Sequence, residues 1–127
     1  IIEDAMKLDW EFLGHNESNT RPLNDVPPDD EQRVIHDSLA RIAAATGRKP
    51  SGWLGSGVQE TWNTLDYLAG EGLSYVCDWV NDDQPYMIDA GDKDGANGLL
   101  TRYMVGNADN MLRVGREMLS SGTVRPR

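Results

Sequence analysis

The sequence predicts an α/β protein built on a parallel sheet, and three observations carry that prediction. Helix-like and strand-like segments alternate along residues 1 to 86. The helical stretches between strands run to a dozen residues or more, long enough for right-handed crossovers. The strand-like runs give way to polar or glycine-rich loops, the usual punctuation between elements. At 127 residues the chain has room for one domain with a modest core, and it shows neither an internal repeat nor an interdomain linker.

Residues 1 to 8 place Ile2, Ala5, Met6 and Leu8 at roughly helical spacing, which reads as the end of a helix. "WEFLG" (10–14) is a short strand, and Pro22, Pro27 and Pro28 make the segment after it a loop. The clearest element is "PPDDEQRVIHDSLARIAAATG". Pro28 suits a first helical turn, and Asp29, Asp30 and Glu31 sit at the positive end of the dipole. Ile35, Leu39, Ile42 and Ala43 share one face, and Gly47 supplies a left-handed stop. "SGWLGSG" (51–57) reads as a strand running into a turn. "VQETWNTLDYLAGEG" reads as a second amphipathic helix with Val58, Trp62, Leu65 and Ala69 aligned, and "LSYVCDWV" (73–80) as a third strand. "NDDQPY" is a polar loop, residues 89–98 a Gly/Asp loop, and residues 109–119 a last helix carrying Met111, Val114 and Met118 on one face.

Composition narrows the function. The formal net charge is −9 and the pI about 4.5, with no basic patch, so DNA and RNA are not the expected partners. Cys77 is the single cysteine, so no intrachain disulfide forms, and a reducing, cytoplasmic setting is expected. No apolar run approaches the ~18 residues of a membrane span. The chain begins "IIEDAMKLDW", already within a helix, and stops at "TVRPR"; we read it as the interior of a longer protein.

Parallel strands send their following loops to one face of the sheet. Three segments distant in sequence should therefore converge: His15, Glu17 and Asn19 after strand one; Gly55, Ser56 and Gly57 after strand two; Asn81, Asp82, Asp83 and Gln84 after strand three. His15 has the chemistry of a metal ligand or a general base, or equally of a structural hydrogen-bond partner. His36, beside the apolar face of the long helix, reads as a surface residue. Asp78 and Glu11 lie within strand runs, where an acid is costly unless paired or solvated. They line the floor of the site or sit as edge charges, according to which way they point. Trp10, Trp62 and Trp79 read as core, whereas Trp53, next to the glycine turn, is a candidate stacking platform. Gly55 and Gly57 start a GxG without the third glycine of a dinucleotide loop. "DKDGANG" lacks the full ligand ladder of a calcium loop, and no serine has a triad pattern around it.

"WEFLGHNESNTRPL", then "EQRVIHDSLARIAAATGRKPSGWLGSG", then "LSYVCDWVNDDQPY", in that order and spacing, resemble the polysaccharide deacetylase (NodB-homology) family, on the branch that includes the cofactor-independent allantoinases. The resemblance is strongest over residues 5–88, weakens over 89–110, and "REMLSSGTVRPR" is similar to a segment that precedes a final strand in this branch. It makes residues 1–127 a partial deacetylase-like domain: part of a distorted parallel (β/α) barrel, incomplete at both ends. It implies hydrolysis of a C–N amide bond in a small ureide such as allantoin, or in an N-acetyl sugar. His15 matches the first metal-ligand histidine of the metal-dependent members. The second is expected four residues on, where this chain has Asn19, a far weaker ligand, so the resemblance implies either no cofactor or a single divalent metal such as zinc held in part by His15. The deacetylases' arginine-bearing turn corresponds to "WLGSG", without an arginine. The family's catalytic aspartate pair would precede Ile1 and its final catalytic histidine would follow Arg127, so the resemblance implies a fragment that lacks the family's base and acid.

On this reading His15 is the catalytic residue. Backbone N–H groups of the Gly55–Gly57 turn supply oxyanion donors, and Glu17, Asn19, Trp53, Ser56, Asp83 and Gln84 bind a polar small-molecule amide or amino-sugar substrate. The alternative is a non-catalytic carbohydrate- or ligand-binding remnant. Three or four strands leave open sheet edges, so the chain is expected to self-associate, a homo-oligomer being one form of this.

Overall fold

The computed structural model of the chain describes residues 1–79, 85–90 and 98–101. In chain order these form α1 (Ile2–Lys7), α2 (Pro28–Thr46), β1 (Gly52–Trp53), α3 (Thr64–Gly70), β2 (Tyr75–Val76), β3 (Met87–Asp89) and β4 (Gly98–Thr101). Short 3-10 turns occupy Leu23–Asp25 and Ser56–Val58. The sheet order is β1-β2-β4-β3. β1, β2 and β4 are parallel, with Gly52 opposite Tyr75 and Tyr75 opposite Leu100. β3 runs antiparallel to β4. Gly14 joins by a single parallel bridge to Trp53: its N–H donates to the Gly52 carbonyl and its carbonyl accepts from Leu54 N–H. The predicted α/β class with parallel strands is what the chain adopts.

α2 follows its sequence signals closely. Pro28 opens it, three acidic residues fill the first turn, and it stops at Gly47 with φ 72°. Its inner face buries Val34, Ile35, Ser38 and Leu39, while Ile42 and Ala43 are only half-buried. Burying Ile35 and Leu39 contributes about 1.5–3 kcal/mol each. Ser38 escapes a desolvation cost by donating its hydroxyl to the Val34 carbonyl at 2.7 Å. Against this face lie Trp53 of β1, Val76 of β2 and Leu68 of α3, all with no exposed surface.

Gly14 shows why the run "FLGH" carries a glycine. A Cβ there would stand 2.3 Å from the Trp53 ring and 2.9 Å from Leu39 Cδ2. Only a residue without a side chain lets the first segment reach β1 over that indole.

Three elements are shorter than predicted. The strand at 10–14 pairs only through Gly14, and the strand at 73–80 contracts to Tyr75–Val76. The helix expected from Val58 begins at Thr64. Gly57 and Val58 both have positive φ, 70° and 55°, which turns the chain before a helix can start. Trp62 is consequently fully exposed. β3 and β4, which the sequence reading does not include, flank the predicted Gly/Asp loop, whose residues 91–97 lie outside the described residues. The predicted helix at 109–119 and all of the calcium-like "DKDGANG" but Gly98 lie outside the described residues. Among the described residues no helix is long and apolar enough to cross a membrane.

Candidate functional site

Because the first segment, β1 and β2 run the same way, the residues that follow them emerge at one end of the sheet. These are His15 after Gly14, Leu54 to Ser56 after β1, and Cys77 to Trp79 after β2. The three segments are bonded to one another there. His15 Nδ1 lies 2.5 Å from the Leu54 carbonyl oxygen. A carbonyl only accepts, so Nδ1 carries the hydrogen, and in the neutral ring Nε2 keeps its lone pair. Ser56 Oγ, nearly fully buried, donates to the Asn19 carbonyl at 2.9 Å. The Gly55 N–H donates to both oxygens of Asp78, at 2.7 and 2.9 Å.

Asp78 is buried, and its carboxyl pKa is raised by that burial, with the Gly55 N–H, Glu60 and His15 each pulling it back down. Beside it stands Glu60. Burial, and then the negative charge of Asp78, push Glu60 up to about 8, against an opposing hydrogen bond from the Trp79 indole. That indole N–H donates to Glu60 Oε2 at 2.7 Å, while Oε1 is buried with no hydrogen-bond donor among the described residues. Both carboxyls are pushed up, and Glu60 is pushed to about 8: Asp78 holds the Gly55 N–H and faces His15, which pull it back down, whereas Glu60 faces two acids, Asp78 and Glu31.

The arrangement revises the predicted residue set. His15 and Gly55 lie at the junction as expected. Ser56 is there too, but its hydroxyl is spent bracing the first loop. Asn19 contributes its backbone carbonyl, its side chain being exposed. Glu17 is exposed and engages Arg21 at 3.5 Å and Arg41 at 3.9 Å, which makes it a surface ion-pair residue. Gly57 is exposed in the turn. The Gly55 N–H is not open to an oxyanion, because Asp78 occupies it. Trp53 is no stacking platform: it is fully buried under α2, and Trp10, Trp62 and Trp79, expected in the core, are the exposed indoles. Asp83 and Gln84 lie outside the described residues. Of the two strand acids, Asp78 points into the site. Glu11 is exposed and accepts from the Tyr75 hydroxyl at 2.5 Å. His36 is a surface residue, paired with Glu71.

Glu60 is the residue the sequence conceals. "VQETWN" reads as a helix start, where a glutamate is ordinary dipole complementation. Only the turn at Gly57 and Val58 brings it back over Asp78.

The described residues contain no group of three or more His, Cys, Asp or Glu placed to hold a metal ion. The imidazole of His15 has no second ligand at Asn19, and Asp78 is engaged on both oxygens by a backbone N–H. This donor set does not fit a metal centre.

No family model matches the sequence, and no curated protein matches it. Solved structures do. A protein of Mycobacterium smegmatis assigned as a polysaccharide deacetylase superposes with a TM-score of 0.67 at 18% identity, over 94% of this chain and 48% of its own. The Puue allantoinase gives 0.68 at 16% identity, over 94% and 43%. A protein of Pseudomonas aeruginosa PAO1, assigned likewise as a polysaccharide deacetylase, gives 0.65 at 18%, over 94% and 44%. The chain thus has the fold found in these three structures, assigned as polysaccharide deacetylases and an allantoinase, and it spans less than half the length of each.

Proposed function

We propose that the chain is part of an amide C–N hydrolase and contributes acid and base groups of its own, acting on a small ureide or an N-acetylated amino sugar. The observation that carries the reading is the meeting of His15, Asp78 and Glu60 at the end of the parallel strands. Its support from the comparisons is the fold shared with deacetylases and an allantoinase.

The chemistry asks for two proton movements. Water adds to the planar carbonyl carbon and loses a proton, and the leaving nitrogen gains one as the C–N bond breaks. His15 Nε2, held lone-pair-outward by the Leu54 carbonyl, takes the proton from water. Glu60, uncharged at neutral pH, gives its proton to the leaving nitrogen. Asp78 stays ionised between them and balances the imidazolium that forms. The products are a carboxylic acid, or carbamic acid for a ureide, and an amine.

A second reading, a binding domain of the same fold without turnover, is favoured by one observation: the glycine turn gives its Gly55 N–H to Asp78, so that donor cannot serve an oxyanion. Assay of the intact natural protein for acetate, ammonia or urea release from a panel of small amides separates the two. The hydrolase reading predicts turnover that falls at least ~100-fold in His15→Ala. Binding of panel members without release supports the second reading, and unchanged turnover in His15→Ala removes the histidine from the mechanism.

A further inference from the structure

Glu31 is a buried carboxylate that the proposed chemistry does not use. It is 1% exposed and has no cationic partner among the described residues. It has two hydroxyls instead. Thr64 Oγ1 donates to its Oε1 at 2.6 Å, and Thr61 Oγ1 lies 2.9 and 2.8 Å from its two oxygens. Each threonine oxygen also receives a backbone N–H. Thr61 N–H donates to Thr64 Oγ1 at 2.8 Å, and Asn63 N–H to Thr61 Oγ1 at 3.0 Å. The 61–64 turn is therefore closed on itself and tied, through both hydroxyls, to the first turn of α2. An apolar residue would serve stability as well or better at such a buried position, so the charged group calls for a further role.

That role is next door. Glu60 immediately precedes Thr61, and the stretch on its other side is the left-handed pair Gly57 and Val58. The backbone at Glu60 is thus placed by an unfavourable turn on one side and a clamped turn on the other. We propose that Glu31 is a positioning residue for Glu60, anchoring the Thr61–Thr64 turn to α2 so that the Glu60 carboxyl is held over Asp78. The proposal rests on the reading of Glu60 and Asp78 as the working acid pair. Among the described residues, the groups that face Glu60 are Asp78 and the Trp79 indole, from the segment after β2, and Glu31, from α2; His15 acts on the pair through Asp78.

The Trp79 indole N–H, bonded to Glu60, reports on the pair without any turnover. In ¹H–¹⁵N spectra of the intact protein its signal should shift with pH through a midpoint near 8. Glu31→Gln keeps the size and one acceptor but removes the charge, and should lower that midpoint. Thr64→Val removes the hydroxyl and should abolish the single midpoint or lower kcat roughly tenfold with KM unchanged, while Thr64→Ser restores both. If Thr64→Val does not fold, Glu31→Gln decides the matter. Wild-type Trp79 titration in Glu31→Gln overturns the proposal. A protein that turns over no amide yet shows the shifted midpoint sinks the hydrolase reading and leaves the positioning role standing.

Discussion

Gly55 and Asp78, 23 residues apart, are joined by a two-pronged bond from one backbone N–H to both oxygens of one carboxylate. The bond ties the loop after β1 to the loop after β2, and it opposes the upward push that burial gives the Asp78 carboxyl. It is also sterically exacting. A Cβ on Gly55 would lie 2.7 Å from Asp78 Oδ2 and 2.8 Å from the Gln59 carbonyl. Gly55→Ala is therefore expected to destabilise the protein by about 1–3 kcal/mol in urea unfolding. An alanine variant as stable as the parent would show that the contact is looser than described.

Proton linkage gives a second prediction. The folded protein holds a proton on Glu60 up to about pH 8, whereas an ordinary glutamate releases it near 4.5. That contribution to stability is complete below the unfolded pKa and is lost as pH rises through the folded one. Asp78 is shifted in the same direction. Glu71 is shifted oppositely: burial pushes it up, but hydrogen bonds from Lys49 and His36 outweigh that, so its contribution is lost only in acid. The melting temperature should fall between roughly pH 5.5 and pH 8.5, and Glu60→Gln should flatten the fall. Identical pH dependence in the two proteins would exclude Glu60 as its source.

The tryptophans supply a third. Trp53 is fully buried and Trp62 fully exposed. Trp53→Ala is expected to cost about 3–5 kcal/mol, and Trp62→Ala to stay within about 0.5 kcal/mol. Reversed sensitivities in denaturant titrations would contradict the packing of β1 under α2.

Much of this was legible in the residues. The long helix announced itself by Pro28, its acidic first turn and Gly47. Alternation gave the parallel sheet, and the sheet polarity brought His15, Gly55 and Ser56 to one rim. What stayed hidden has a common cause. A strand buried by a single glycine bridge has no periodicity to read. A β-branched residue with positive φ, Val58, contradicts its own propensity, so the turn that exposes Trp62 and redirects Glu60 looks like helix. The indole beside the glycines reads as a platform because adjacency to a turn suggests exposure; Gly14 is small so that Trp53 can be buried.

The most direct test of the acid pair is the pH–rate profile of kcat/KM for amide hydrolysis by the intact protein and its Glu60→Gln variant. The parent should lose activity on an alkaline limb near pH 8, as Glu60 gives up its proton, and the variant should lack that limb and turn over at least ~100-fold more slowly. The same limb in both proteins, at rates within about twofold, would show that Glu60 carries no proton for the reaction.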